Sequence, residues 1–288
     1  MSITLNPSIV LRTIHNLNDT QGSLNRSLNR VSSGLRINRA ADDAVGLTVA
    51  SRMNSDLTSA RQSLRNTNDG ISLVQTAEGA LSEVHNLVVR LRELTVQSLS
   101  DTINTTDRGT AIHTEMDSVV NEINRIASTT NFNRVNILRS TDTAFNIQVG
   151  IFNSSDDSIS IDMSSLNSSC GAIGMLTMIA SLDAGSASLA IGGTAIHYSA
   201  WLDVLDTAGE NLGTRRAKLG AIQNRLESAL SQTSNQIENL SASQSRILDV
   251  DYASESASLM RFKIQNEAGV AALSQAKGIS QSIISLLS

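Results

Sequence analysis

Between residues 10 and 35 the apolar positions fall into two rows. Val10, Leu17, Leu24 and Val31 recur every seven residues, while Ile14, Leu28 and Leu35 form a second row whose one polar gap is filled by Gln21. Alternating steps of three and four predict a helix with a narrow coiled-coil seam. Asn6 and Pro7 mark its start, as N-cap and first helical residue. The seam resumes at Leu57, Ala60, Leu64, Thr67, Ile71 and Val74, then shifts phase to Ala77, Leu81, Val84, Val88, Leu91 and Leu94. Such a stammer adjusts the supercoil locally. At 1.5 Å per residue this second stretch predicts a rod of roughly 55 Å. A turn at residues 101–109 precedes a third helix carrying Ile112, Met116, Val119, Ile123 and Ile126.

The period then changes to two. Phe145, Ile147, Val149 and Ile151 share one face, as do Ile159, Ile161 and Met163, and the polar "FNSSDD" joins them, which predicts a β-hairpin. Residues 164–199, rich in Ser, Ala and Gly, show no seam and read as a short variable excursion with room for one small strand pair. Helical spacing returns at Leu205, Ala208, Leu212, Leu219, Ile222, Leu226 and Ala229, with Arg215 on the seam as a snorkelling or register-setting residue. It continues through Ile237, Leu240 and Ile247. The last segment runs Met260, Ile264, Ala268, Ala271, then Ala272, Ala276, Ile279, Ile283 and Leu286.

The fold expected is mainly α: a long helical coiled-coil hairpin of the N- and C-terminal segments with a small β-hairpin region. Isolated striped helices are unstable in water, so the two terminal ones need partners. They could pair with each other, but the broad apolar arc of the uncharged C-terminus points to burial on more than one side, and so to an assembly.

Composition narrows the function. Hydrophobic residues make up 40% of the chain but aromatics only 2%, which suits thin helical seams rather than a thick core, and the single proline leaves long helices uninterrupted. A net charge of -5 without a Lys/Arg cluster leaves no field for nucleic acid. No run approaches the 18 apolar residues of a membrane span, and the N-terminus lacks the basic and apolar regions of a Sec-type signal. Cys170, alone, forms no internal disulfide; it reads as a small, partly buried residue, with an exposed thiol as the other option.

His15, His85, His113 and His197 lie in separate segments without ligand spacing, and "HTEMD" lacks the second histidine of the zinc motif. Asp42 and Asp43 are adjacent, so on a helix they diverge by about 100° and make no carboxylate pair. No catalytic, cofactor or metal site is expected, and the chain is not expected to be an enzyme.

One stretch stands out: "SSGLRINRAADDAVGLTVASRM", residues 32–53, threads two carboxylates and three arginines through small residues and two glycines. Together with "NDGISLVQTAEGALSEV", "LRELTVQS", "NFNRVNIL", "LGAIQNRLES", "DVDYASE" and "ISLLS", it closely resembles the end regions of bacterial flagellin, over roughly residues 1–165 and 203–288. The resemblance implies a flagellar filament subunit used for motility. Residues 1–40 with 250–288 would form the terminal coiled coil of the inner tube. Residues 41–165 with 203–249 would form the outer-tube rod and hairpin, and 166–202 a short excursion in place of outer domains. The partners implied are other copies of the chain, an export chaperone, a filament cap protein and a hook-junction protein. The location implied is extracellular, in the flagellum, after type III export without cleavage. Terminal helices lacking partners in the monomer are expected to stay largely disordered and to fold on incorporation.

By the same resemblance the polymerisation residues are Val10, Ile14, Leu17, Leu24, Leu28, Val31, Arg36, Asp42, Asp43, Arg52, Met260, Ile264, Ile279, Ile283 and Leu286. Arg39 belongs with the charges of the bend, and Asp43→Ala is expected to impair polymerisation or filament shape without changing monomer helicity. The family's surface for Toll-like receptor 5 centres on an Arg-x-x-x-Leu motif with a Glu on the next helix. Arg90, Leu94 and Glu115 match it, although Val89 replaces the usual polar residue before the arginine. Immune recognition or plain inter-subunit contact are the two readings of that patch. Ser and Thr of residues 153–200 are candidates for O-glycosylation, as in many flagellins. The alternative function is a hook-filament junction protein, against which "NDGISLVQTAEGALSEV" and "NFNRVNIL" weigh. A secreted coiled-coil effector or adhesin is the alternative from another class, and the short middle offers it no sizeable binding domain.

Overall fold

The helices begin and end where the sequence supplies caps. A computed structural model describes residues 7–100, 111–138, 144–162 and 196–287, with side chains for 11–100, 111–138, 144–162 and 201–275. Helix α1, Pro7–Ser33, starts on the proline and stops at Gly34, whose φ of +73° is a left-handed conformation that glycine adopts without strain. A short bend leads to α2, Ala44–Ser98, and α3 follows at His113–Thr129. Two-residue strands β1, Asn131–Phe132, and β2, Val135–Asn136, make one hairpin. Strands β3, Ala144–Gln148, and β4, Ser158–Asp162, make another. Helices α4, Ile196–Leu248, and α5, Tyr252–Leu287, complete the order. The N-cap expected at Asn6, the turn at 101–109 and Cys170 lie outside the described residues.

The chain divides into two compact units, Met1–Thr58 with Glu238–Ser288, and Ser59–Ile237. In the first, α1 packs along α5. The terminal helices thus find partners in each other within a single chain, and the expectation that they stand unpaired in the monomer is corrected.

The register of that pairing also differs from the two rows read in the sequence. Leu17, Leu24 and Val31 do lie toward α5, partly buried, but Thr20 and Ser27 take the other seam row. Ile14 and Leu28 face out, 37% and 47% exposed. On α5 the seam is Glu255, Leu259, Phe262, Asn266, Gly269 and Leu273, while Met260 and Ile264 are 60% and 64% exposed. Small seam residues let the backbones come close: a Cβ on Gly269 would sit 3.1 Å from Leu17 Cδ1. Gln21, the polar gap in the heptads, hydrogen-bonds Asn266 across the pair. Among the described residues of α1 only Ser27 is fully buried, as expected of a helix with one neighbour.

The second unit buries most of its seam, although on α3 Val120 and Ala127 are buried where Val119 and Ile126 were expected, and those two are only partly buried. Leu73, Val74, Ala77, Leu81, Val84, Val88, Leu91 and Leu94 of α2 pack with Met116, Val120 and Ile123 of α3 and with Leu205, Ala208, Leu212, Leu219 and Leu226 of α4. The phase shift is buried on both sides, with Val74 and Ala77 each 0% exposed. The β3–β4 hairpin pairs Phe145 with Ile161 and Ile147 with Ile159, the register that the period-two pattern predicts. Gly70 of α2 makes room for it: a Cβ there would lie 3.2 Å from Ile147.

Two features escaped the sequence reading. The β1–β2 turn has positive φ at Asn133 and Arg134, +48° and +67°, in the sense of a type I′ turn but without the usual glycine. Its function is to cap α3, since Asn136 Nδ2 donates to the carbonyls of Ala127 and Ser128 at 3.0 and 2.7 Å before Ile137 and Leu138 enter the core. In addition, α4 begins at Ile196, so the last part of the stretch 166–202 is helical and delivers Trp201, 5% exposed, to the core.

Trp201 meets the ring of His113 edge-on at 6.0 Å. Burial pushes the His113 pKa down, opposed by the nearby Asp117 carboxylate. The unfolded chain therefore binds this proton first, and the stability of the unit falls as pH drops below about 6.5. A melting series from pH 7 to pH 5 should show that loss, and His113→Gln should flatten it.

Candidate assembly interface

The bend after α1 is built from backbone pairing and two carboxylate caps. Val250 N–H donates to Gly34 O at 3.0 Å, Arg36 N–H donates to Leu248 O, and Leu35 bridges Asp249. The Arg36 guanidinium adds a bond to Ile247 O at 2.8 Å. Gly34 is required here, because a Cβ would lie 2.9 Å from the Tyr252 hydroxyl as well as straining the backbone.

Asp42 and Asp43 have separate tasks within the chain. Asp42 Oδ2 accepts from the N–H groups of Arg39 and Asn38, at 3.0 and 3.3 Å, and these bonds hold its carboxyl below the usual carboxylate range. Asp43 is the N-cap of α2, accepting from Gly46 N–H at 2.8 Å. Gly46 in turn leaves room for that carboxylate, since a Cβ would fall 2.4 Å from Asp43 Oδ2. Besides the assembly role that the resemblance implies, Asp43 thus fixes the start of a helix within the chain. Asp251 caps α5 in the same way, through Ala253 N–H at 3.0 Å, a role visible in the "DVDYASE" motif only once the helix boundary is known. Arg39 and Arg52 are exposed.

The other sequence-selected residues whose side chains are described in the terminal unit separate into two sets. Leu17, Leu24 and Val31 lie in the α1–α5 seam. Ile14, Leu28, Met260 and Ile264 lie on outward faces of the same pair, joined by Leu11 and Val270 at 55% and 52% exposure, which the heptad reading did not single out. Val10, Ile279, Ile283 and Leu286 belong to α1 and α5, but their side chains lie outside the described residues. In the second unit Arg90 binds Glu115 at 2.5 Å and Glu93 at 3.0 Å on the surface. Leu94, by contrast, is 1% exposed, a core residue rather than a surface contact.

Among the described residues no group of His, Cys, Asp or Glu could hold a metal ion, and no helix is long and apolar enough to cross a membrane. What the described surface offers is apolar side chains on paired terminal helices and a charged bend beside them.

Comparison with known proteins agrees with that picture. Residues 5–143 match the bacterial flagellin N-terminal helical region, and residues 202–287 the bacterial flagellin C-terminal helical region. The chain is also 39% identical over 274 residues to a flagellin of Halalkalibacterium halodurans, covering 94% of this chain and 93% of that one. This chain belongs to the bacterial flagellin family. A second flagellin, from Bacillus subtilis, is 36% identical over 296 residues, covering 96% of this chain and 97% of its own. A putative flagellar hook-associated protein from Vibrio parahaemolyticus superposes with a TM-score of 0.60 at 12% identity, over 72% of this chain and 100% of its own, a likeness of fold alone.

As a flagellin, the chain is a structural subunit of the extracellular bacterial flagellar filament, which it forms by self-assembly, and the filament serves motility. The family is structural.

The capping geometry gives a direct test. Asp43→Ala should lower monomer stability by about 1 kcal/mol, read in a urea melt, because the first turn of α2 loses its acceptor.

Proposed function

We propose that the outward apolar faces of α1 and α5 are the surfaces through which flagellin subunits pack in the filament. The observation that carries this reading is the exposure of Leu11, Ile14, Leu28, Met260, Ile264 and Val270 on helices already paired through their other faces. Burying each of these half-exposed side chains against a neighbour contributes roughly 1 kcal/mol. A subunit with unlike contacting faces whose rotation does not close grows into an open helix. In this reading residues 1–40 with 250–288 line the inner tube, 41–165 with 203–249 form the outer tube, and 166–202 replace outer domains. Val10, Ile279, Ile283 and Leu286, polymerisation residues by the family resemblance, belong to the same two helices. An export chaperone, a cap protein and a junction protein act before and during incorporation, as the family resemblance implies.

The proposed immune reading rests on the surface pair alone. With Leu94 in the core, receptor contact falls to Arg90 and Glu115, which bind each other and are about half exposed. Such a pair would have to exchange its internal bond for bonds to the receptor, which limits the gain. Monomeric protein should activate reporter cells carrying Toll-like receptor 5, and Arg90→Ala should reduce that response; an inactive wild-type monomer refutes the receptor reading.

The assembly reading has a sharper test. Met260→Glu should leave monomer helicity unchanged by circular dichroism, since the side chain faces water, while abolishing seeded polymerisation by sedimentation and electron microscopy. A variant that forms normal filaments refutes the outward-face reading.

A further inference from the structure

Beside the apolar faces, the terminal unit carries a polar groove at its bend. Two adjoining hollows of about 610 and 320 Å³ share Arg26, Arg30 and Asp42, and Arg39 lines the larger. Three guanidinium groups thus meet two carboxylates, Asp42 and Glu255. Both carboxylates are already engaged. Asp42 accepts from the backbone of Asn38 and Arg39, and Glu255 accepts from the buried Ser27 hydroxyl and lies 3.8 Å from Arg30.

The arginines are less well served. Arg30 Nε is buried without a hydrogen-bond partner among the described residues, and the remainder of its guanidinium, about one-third exposed, lies 3.8 Å from Glu255 and opens into the groove. Arg26 donates to the Ser23 hydroxyl at 3.2 Å, and the Arg39 side chain makes no hydrogen bond or ion pair among the described residues. The groove is therefore an excess of planar, forked donors in a chain whose net charge is -5.

We propose that this groove receives a carboxylate side chain of a second copy of the chain. The inference rests on the filament reading and specifies one of its contacts. Arginine forks bind carboxylates through paired, charge-assisted bonds with fixed geometry, so the contact would set the orientation of neighbours as well as holding them. Carboxylates of the required kind are available on the same unit. Asp19 and Glu267 are exposed on α1 and α5, and their side chains make no ion pair or hydrogen bond among the described residues. Because donor and acceptor surfaces differ, the contact is heterologous and suits an open polymer.

Seeded polymerisation of the full chain in low-salt chloride buffer tests this, with critical concentration as the readout. Arg26→Gln and Arg39→Gln should each raise it about tenfold or more, Arg39→Lys should raise it less, and monomer circular dichroism should be unchanged. Arg12→Gln, an equal change of charge outside the groove, should raise it less than twofold. Unchanged critical concentrations for both groove variants overturn the proposal, as does an equal deficit in Arg12→Gln. Assembly of the wild type only when sulfate is added, at constant ionic strength, also overturns it in favour of a free oxyanion. Met260→Glu, run in parallel, separates the two failures: if it still blocks assembly while the groove variants assemble, the groove is wrong and the outward-face reading stands.

Discussion

Everything in the terminal unit depends on a geometrical limit: a pair of helices can bury only the strip along which they touch. In α1 and α5 that strip is narrow, lined by Leu17, Leu24 and Val31 against Leu259, Phe262 and Leu273, and it leaves most of these side chains partly accessible. The three-helix region of the second unit shows the contrast, with Leu81, Val84 and Leu91 fully buried between neighbours. A two-helix pair with apolar residues on its remaining faces is an incomplete core. In the proposed packing, what one chain leaves exposed the next covers.

The bend is where that pair is aimed. Gly34 turns the chain in a conformation that an L side chain would resist. The antiparallel contacts of Leu35 and Arg36 with residues 247–249 tie the exit of α1 to the entry of α5, and Asp43 and Asp251 start the next helices. Small residues and short carboxylates are therefore placed where backbone groups need partners. The arginines of the same stretch follow another logic. Arg36 is spent on a carbonyl within the chain, while Arg26, Arg30 and Arg39 gather around a groove whose carboxylates are already committed. A segment that reads as a cluster of mixed charge is, in space, a set of satisfied acids beside under-used bases.

Much of this was legible in advance. The later seam of α2, its phase shift, most of the seam of α4 and the pairing of β3 with β4 follow from spacing, since each lies against a single well-filled core; in α3 Ile112, Met116 and Ile123 follow it, but Val120 and Ala127 are buried where Val119 and Ile126 were expected. The family was legible from long motifs in order. The β1–β2 turn was not, because Asn133 and Arg134 adopt positive φ without glycine to announce it. Nor was the start of α4, because residues before Trp201 lack a stripe of their own. Leu94 shows the opposite error: a motif assigned it to a surface, and its place in the heptads, already visible, assigns it to the core.

The sequence by itself determined that the chain is built of long seamed helices with apolar terminal segments, because heptad spacing and the scarcity of aromatics and proline leave few other ways to bury these residues. It did not determine which stripe of each terminal helix meets the other. Both rows of α1 have helical spacing, and so do two rows of α5. Only the tertiary structure chose between them, placing Thr20, Ser27 and Gly269 at the contact, where small side chains let the backbones approach, and leaving Ile14, Leu28, Met260 and Ile264 facing out. Periodicity records that a face is apolar; close packing decides what it touches.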